Sequence, residues 1–321
     1  FGLWIEPEMV NENSDLFRAH PDWVLSAPGR KPSITRNQMV LDLSREDVYE
    51  YLYKTISGLL KKHSISYIKW DFNRCQSDIY SHVLPAHLQG KTAHLYYLNL
   101  YRLYDNLTKE FPDVLFEGCS GGGGRFDAGM LCYSPQIWCS DDTDPISRLS
   151  IQYGKSFGYP MSTIGAHVSA SPNHQSGRHT PLSVRAAVAM SGVFGYELDL
   201  TRLSQSELDE IRDQIVFYRK IEPLIHDGLY YRLNEAGKDR YQTWQIVSPD
   251  GEKSILSIVI TNPVPNAASI HVRLKGLIPD AVYDVNGEYT RSGLSLMTGG
   301  YTFRFMFGDY SSAQILLTKI N

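Results

Sequence analysis

Short apolar segments alternate with longer amphipathic ones from the start of the sequence to about His226. The short segments predict buried strands, and the longer ones predict helices because their apolar residues recur at helical spacing. Strands that follow one another through helices are typical of βα units around a parallel sheet. The predicted strands are Phe1–Ile5, Tyr67–Trp70, Val114–Glu117, Gln136–Cys139, Thr163–Ala166 and Val193–Glu197.

Beyond the segment His226-Asp227-Gly228 the pattern changes to strands separated by Gly, Pro and Asn turns. The enrichment in β-branched and aromatic residues predicts a small antiparallel β domain. We therefore expect an α/β domain over residues 1–228 and a C-terminal β domain over residues 229–321. The strands predicted there are Tyr241–Val247, Ser254–Ile260, Ser269–Leu274, Ala281–Asn286, Tyr301–Phe307 and Ala313–Thr318.

Polar or charged side chains follow nearly every predicted strand of the first domain. A parallel barrel carries its chemistry at the carboxyl ends of many strands, whereas an open doubly wound sheet concentrates it at one switch point. The sequence therefore favours a (β/α)8 TIM barrel that lacks its first two βα units over an open sheet. No glycine motif for nucleotide binding follows a strand. The polar residues are Glu6, Asp71, Asn73, Arg74, Cys119, Ser120, Asp141, Asp142, His167 and Glu197.

Charge and cysteine content narrow the class of protein. The 31 basic and 35 acidic residues give a net charge of −4, so neither a nucleic acid nor a membrane surface is expected as a partner. The four cysteines form no CxxC pair, a usage that favours a reducing, cytoplasmic compartment over a disulfide scaffold or a metal site. The sequence opens on an apolar strand, without Met or a signal peptide, so we expect it to be a segment of a longer protein.

The segment Tyr67–Arg74 brings a carboxylate to the end of a predicted strand. Side chains alternate along a strand, so Lys69, Asp71 and Asn73 share one face. Nearby positive charge favours the ionised form of a carboxyl group, and an ionised carboxylate that faces a pocket is a candidate nucleophile. A structural Lys–Asp pair at the strand end is the alternative that spacing alone leaves open.

The segment Gln136–Asp144 also runs from an apolar strand into carboxylates. Adjacent like charges raise the pKa of each other's carboxyl groups, and a carboxyl that stays protonated near neutral pH can act as a general acid. Asp144, followed by Pro145, is predicted instead to cap the next helix. Carboxylates on two strand ends suggest glycoside hydrolysis; calcium ligation is the competing use, but no DxDxDG loop is present.

Between these segments lies Cys119–Arg125, with four consecutive glycines that allow close backbone approach to a ligand. A mobile loop is the alternative reading. Together with FGLWIEPEMV at the start, KWDFNR and WCSDDTD, the CSGGG motif resembles glycoside hydrolase family 36, in particular its bacterial α-galactosidases. The resemblance covers the whole chain, including the C-terminal β domain.

The resemblance implies a retaining double displacement without metal or organic cofactor. Asp71 matches the nucleophile and Asp141 the general acid/base, with the two carboxyls about 5–5.5 Å apart. The substrates implied are α-galactoside oligosaccharides of the raffinose or melibiose type. Glu6 and Glu8 are expected to orient neighbouring groups. The galactose contacts that carry over are Trp4, Arg36, Lys69, Cys119 and Gly122.

Several functions remain open at this level. Galactosyl transfer of the raffinose-synthase type and α-N-acetylgalactosaminidase activity share the covalent chemistry, and a galactose-binding fragment without activity is a further alternative. Members of the family carry an N-terminal β domain and two earlier barrel strands that nothing here replaces. We expect the isolated chain to be poorly stable and weakly active or inactive, and the full-length protein to form a homo-oligomer.

Overall fold

A computed structural model describes residues 1–303, 306 and 308–320. The chain divides into two compact units, Phe1–Asp141 and Asp142–Asn321. The expected domain boundary between residues 228 and 229 remains a prediction.

The first unit contains four parallel strands connected through helices. Their spatial order, β1-β4-β5-β6, follows the order along the chain. A doubly wound sheet reverses its strand order at a switch point, so this order argues against the open-sheet alternative for these strands. The strands of the unit are β1 (Gly2–Ile5), β2 (Met9–Val10), β3 (Met39–Val40), β4 (Tyr67–Trp70), β5 (Leu115–Gly118) and β6 (Gln136–Trp138).

Two long helices complete the core of this unit. The longer one buries Tyr96, Leu100, Leu103 and Leu107 completely, which places one apolar face along the helix. Each fully buried leucine contributes about 1.5–3 kcal/mol. The helices are α1 (Asp15–Ala19), α2 (Glu46–Lys62), α3 (Thr92–Glu110) and α4 (Ala128–Leu131), with 3₁₀ turns at Pro21–Trp23 and Ala86–Lys91.

The second unit begins with α5 (Pro145–Lys155), β7 (Ile164–Ser169), α6 (Leu182–Ala189), β8 (Val193–Glu197) and α7 (Gln205–Asp227). β7 and β8 are parallel. Asp144 caps α5, as predicted, by accepting from the backbone N–H of Ile146. His167 lies inside β7 and not after it, because this strand extends to Ser169.

The last part of the unit is antiparallel. A six-stranded sheet has the order β14-β13-β16-β11-β10-β9, and β12 pairs with β15. The predicted strand Tyr301–Phe307 includes residues 304, 305 and 307, which lie outside the described residues. The elements are β9 (Leu229–Arg232), β10 (Tyr241–Val247), β11 (Lys253–Ile260), β12 (Ile270–Val272), β13 (Val282–Val285), β14 (Tyr289–Ser292), α8 (Gly293–Thr298), β15 (Tyr301–Phe303) and β16 (Ser312–Lys319). Two 3₁₀ turns lie earlier in the unit, at Met161–Thr163 and Leu200–Arg202.

The expected class, parallel βα strands followed by antiparallel β structure, is therefore confirmed. The description of the parallel strands as a TIM barrel without its first two units is a finer statement that stays a prediction.

Candidate active site

Asp71 immediately follows β4, and hydrogen bonds hold its carboxylate. Oδ2 accepts from the Asn73 Nδ2 at 2.6 Å and from the indole Nε1 of Trp4 at 3.2 Å. Oδ1 accepts from the backbone N–H of Phe72 at 2.8 Å. Only 6% of the Asp71 surface is exposed, whereas Trp4 is 50% exposed. The carboxylate is thus held in place, and Trp4, predicted to contact the sugar, also binds the predicted nucleophile.

Cys119 lies beside this carboxylate. Burial raises the pKa of its thiol, and so does the negative charge of Asp71, with which the thiol hydrogen-bonds. A hydrogen bond from the backbone of Gly122 and the positive charge of Lys69 act in the opposite direction without reversing the shift. Cys119 therefore stays a protonated, uncharged thiol and brings three other predicted site residues together around it.

Lys69 is paired with a buried acid that the sequence analysis did not assign. In the parallel register of β4 and β5, Lys69 lies opposite Glu117. The Lys69 Nζ is 3.4 Å from the Glu117 Oε1, and it also lies 4.7 Å from the centre of the Trp138 ring. Glu117 is completely buried, and its other oxygen accepts from the Tyr67 hydroxyl and the Gln136 amide. These contacts fix the position of the ammonium group.

The signal for Glu117 was present in the sequence. Alternation along β4 places Lys69 and Asp71 on one face, and the same alternation along β5 places Glu117 and Cys119 on one face. The register that brings Lys69 opposite Glu117 depends on the fold.

The glycine segment after β5 forms an ordered turn against the backbone that carries Asp141. Gly122 has φ +78°, and a β-carbon there would lie 2.7 Å from the Asp141 nitrogen and 2.8 Å from the Ser140 Cα. The carbonyl of Gly122 accepts from the N–H of Ser120 at 2.9 Å. Only glycine fits a left-handed position with backbone this close. Gly122 therefore sets how near the turn approaches Asp141.

Asp141 and Arg36 line the same cavity of about 600 Å³, together with Asn73 and Tyr97. Asp141 is exposed there, in contrast to the buried Asp71. Arg36 stands at the tip of a two-residue turn, in which it has φ +54° and Asn37 has φ +59°. A cavity of this size is suited to a small polar ligand.

The two acids near the start of the chain have different roles. Glu6 lies next to the site: its Oε1 accepts from the Asn73 amide and its Oε2 from the Gln38 Nε2 at 2.7 Å. Glu8 is completely buried and belongs to the core instead. The donors to Glu8 are Trp70, Tyr96 and Arg125.

The structure thus places the predicted residues in two groups. Trp4 and Cys119 lie against Asp71, and the charge of Lys69 acts on Cys119, while Gly122 contacts the backbone of Asp141 and Arg36 shares its cavity. The roles of these residues and the predicted separation of the two carboxyls remain predictions.

Within the described ranges, no group of three or more His, Cys, Asp or Glu side chains is arranged to hold a metal ion. None of the helices in the part of the chain that the structure describes has the length and apolar character needed to cross a membrane.

Comparison with known proteins identifies the family of this chain. The family model described as Melibiase matches residues 1–228, and the one described as Glycosyl hydrolase family 36 C-terminal domain matches residues 241–317. The chain is 48% identical over 312 residues to alpha-galactosidase AgaA of Geobacillus stearothermophilus, which covers 97% of this chain and 43% of the relative. The chain therefore spans less than half the length of this curated relative.

Solved structures agree with the sequence match. An AgaA variant from the same organism in complex with raffinose has a TM-score of 0.98 and 46% identity, covering 100% of this chain and 45% of that chain. A second AgaA variant, in complex with stachyose, has a TM-score of 0.97 and 47% identity at the same coverage. On these matches, over both its α/β and its β regions, the chain belongs to glycoside hydrolase family 36.

Proposed function

We propose that the protein is a retaining α-galactosidase, with Asp71 as nucleophile and Asp141 as general acid/base. The observation that carries the proposal is the contrast between the two carboxyls. Asp71 is buried, and its carboxylate accepts hydrogen bonds from three donors. A nucleophile must attack one carbon atom from one direction, so its carboxylate needs a fixed orientation. Asp141 is exposed on a cavity wall, where it can exchange protons with a leaving group or with water.

In the first step Asp141 gives its proton to the glycosidic oxygen as the aglycone departs. Asp71 attacks the anomeric carbon through an oxocarbenium-like transition state and forms a galactosyl ester. The Asp71 carboxylate loses its negative charge as the ester bond forms. The hydrogen bonds from Trp4 and Asn73 must therefore leave one carboxylate oxygen able to bond to the anomeric carbon. The uncharged Cys119 thiol beside it adds no competing negative charge.

In the second step Asp141, now ionised, takes a proton from water, and the resulting hydroxide equivalent attacks the anomeric carbon of the ester. Galactose leaves with its original configuration and the Asp71 carboxylate is restored. Lys69, fixed by Glu117, and Arg36 at the cavity wall would donate hydrogen bonds to sugar hydroxyls in both steps.

The substrates we propose are α-galactoside oligosaccharides of the raffinose or melibiose type. The complexes of the AgaA variants with raffinose and stachyose support this choice. The cavity offers donors from the Arg36 guanidinium and the Tyr97 hydroxyl, which suits a ligand made of hydroxyl groups.

Hydrolysis of p-nitrophenyl α-galactoside by the native protein tests the proposal, with Asp71→Asn as its isosteric control. We expect turnover in the native protein and a loss on the order of 10⁴-fold or more in Asp71→Asn. Absence of turnover in the native protein would reject the α-galactosidase assignment. Turnover that survives Asp71→Asn would reject Asp71 as the nucleophile.

We also propose that the parallel strands belong to a TIM barrel whose first two βα units lie outside this chain, and that the β domain starts near residue 229. The gap between the two family matches, at residues 229–240, supports that boundary. A cytoplasmic location fits the four cysteines, since none of them forms a disulfide in the part of the chain that the structure describes. Homo-oligomerisation follows from the family resemblance, and light scattering on the native protein tests it.

A further inference from the structure

The side-chain amide of Asn73 joins two carboxylates. Its Nδ2 donates to the Asp71 Oδ2 at 2.6 Å and also donates to the Glu6 Oε1. An amide nitrogen carries two hydrogens, so one hydrogen serves each carboxylate. The orientation of the Asn73 amide, and with it the hydrogen bond to Asp71, is therefore set by Glu6.

The second oxygen of Glu6 connects to a different part of the cavity. It accepts from the Gln38 Nε2 at 2.7 Å. Gln38 is the last residue of the tight turn that carries Arg36, closed by reciprocal backbone hydrogen bonds between Thr35 and Gln38 at 3.0 and 3.2 Å. Glu6 thus contacts the residue that closes this turn.

We propose that Glu6 is a positioning residue that couples the nucleophile Asp71, through Asn73, to the cavity-lining Arg36, through Gln38. This inference rests on the proposed function, because it assigns Glu6 a role in the same reaction. Glu6 itself follows β1 and makes its two contacts on opposite oxygens of one carboxylate. A shift of Glu6 would displace both groups together.

A carboxylate is required at this position because both contacts come from donors. A glutamine has one acceptor oxygen and one NH₂ group, so in Glu6→Gln either Asn73 or Gln38 would face a second donor. A displacement of about 1 Å in reacting groups costs on the order of 10²-fold in rate. We therefore expect kcat/KM of Glu6→Gln to fall 10- to 100-fold although the side chain keeps its size.

Glu6 makes two connections, which we call arms: one through Asn73 to Asp71 and one through Gln38 to Arg36. Two single variants test the two arms separately. Asn73→Ala breaks only the arm to Asp71 and should lower kcat on p-nitrophenyl α-galactoside at least tenfold, with the inhibition constant of galactose changed less than threefold. Gln38→Met breaks only the arm to Arg36 and should raise the inhibition constant of galactose three- to tenfold while kcat changes less than twofold. Glu6→Gln should change both quantities.

Exchanging the side chains at positions 6 and 38 should restore the activity that Glu6→Gln loses. In Glu6→Gln/Gln38→Glu the new amide donates to the new carboxylate and still accepts from Asn73. The double variant should recover at least tenfold of the kcat/KM lost in Glu6→Gln, whereas Gln38→Glu alone should lose activity because two carboxylates then face each other.

The proposal is overturned if Glu6→Gln changes only the melting temperature, with kcat and galactose inhibition both within twofold of the native protein. It is also overturned if the exchange restores the melting temperature but not kcat/KM. If Glu6→Gln does not fold, the Gln38→Met result decides: an unchanged galactose inhibition constant rejects the coupling. In each of these cases the proposed function still stands if the native protein is active and Asp71→Asn is not. A failure of the coupling can therefore be told apart from a failure of the proposed function.

Discussion

Gly122 is packed against Asp141 so closely that a β-carbon on Gly122 would lie 2.7 Å from the backbone nitrogen of Asp141. The glycine turn after β5 and the end of β6 thereby fix each other. The position of Asp141, the predicted acid/base, therefore depends on the absence of a side chain at Gly122.

Gly122→Ala should therefore impair proton transfer before it impairs binding. The methyl group must displace the Asp141 backbone by several tenths of an ångström or more, and a misplacement that reaches about 1 Å costs on the order of 10²-fold in rate. Raffinose, whose leaving group needs protonation, should lose more activity than p-nitrophenyl α-galactoside. Steady-state kinetics on both substrates measure the difference.

Gly121→Ala is the matched control for that substitution. Gly121 also has a left-handed φ, of +52°, but its β-carbon would meet only the Asn73 Oδ1 at an ordinary 3.8 Å. It should show the backbone strain of about 1–2 kcal/mol without the selective loss on raffinose. Equal losses on raffinose in the two variants would show that the contact with Asp141 is irrelevant.

Glu117→Gln tests whether the buried acid fixes Lys69. The exchange keeps the shape but presents either a neutral oxygen or an NH₂ group to the Lys69 ammonium, which now lies 3.4 Å from the carboxylate. We expect the galactose inhibition constant to rise about three- to tenfold, because a displaced ammonium group weakens its contact with the sugar by about the 0.5–1.5 kcal/mol of an ordinary hydrogen bond. Glu46→Gln is the control, because Glu46 forms an exposed ion pair with Arg102, and it should leave the galactose inhibition constant unchanged. An unchanged constant in Glu117→Gln would contradict the role of Glu117 in fixing Lys69.

Thiol reactivity reports the environment of Asp71. Cys75 and Cys132 are exposed, whereas Cys119 and Cys139 are buried, and both burial and the charge of Asp71 raise the pKa of Cys119. Because only the thiolate reacts, iodoacetamide at pH 8 should label the two exposed cysteines in the folded protein and Cys119 only after unfolding. Peptide mass mapping gives the order, and labelling of Cys119 as fast as Cys132 would disagree with the site described.

Asp144 links pH to the stability of the second unit. Burial raises the pKa of its carboxyl, but hydrogen bonds from Ser176 and Arg178 outweigh it, so the net pKa is lowered. A lowered pKa in the folded state stabilises above the unfolded value of about 4, and the contribution disappears as the pH falls through the folded-state pKa.

Asp144→Asn should accordingly lower the unfolding free energy at pH 7 by about 1–2 kcal/mol, because asparagine still caps the helix but no longer carries the charge that pairs with Arg178. The difference from the native protein should shrink below about pH 4, where the native carboxyl also becomes protonated. Urea unfolding followed by circular dichroism at several pH values measures it. Asp280→Asn, at an exposed position, should have no such pH-dependent effect; a constant difference for Asp144→Asn at all pH values would contradict the linkage.

Much of the arrangement could be predicted from local sequence. An apolar run that ends in polar residues places Asp71 and Asp141 at strand ends, and alternation along β4 gives the shared face of Lys69 and Asp71. The Ser204–Glu207 capping box at the start of α7 is likewise local, because its Ser and Glu stand three residues apart. The end of α7 is not local, because a proline inside a helical pattern usually predicts that the helix ends before it. The helix continues through Pro223 to Asp227 because Ile221, Leu224 and Ile225 are buried there.

The contacts that define the site depend on residues far apart in the chain. Trp4 and Asp71 are 67 positions apart, and Glu6 reaches Asn73 only because β1 and β4 are paired. The approach of Gly122 to Asp141 depends on how a turn packs against a separate strand end. No periodicity within a segment contains this information, so the partners of Glu6 and the pairing of Glu117 with Lys69 emerge only with the fold.

The central claim is that Asp71 forms the covalent bond and Asp141 exchanges the proton. It is tested most directly by incubating the native protein's Asp141→Ala variant with p-nitrophenyl α-galactoside and mapping the acid-quenched peptides by mass spectrometry. This leaving group departs without much protonation, whereas the second step lacks its base, so the galactosyl ester should accumulate after a burst of nitrophenol. We predict that the galactosyl group is found on Asp71. A galactosyl group on another residue, or a burst without any labelled peptide, would contradict the account.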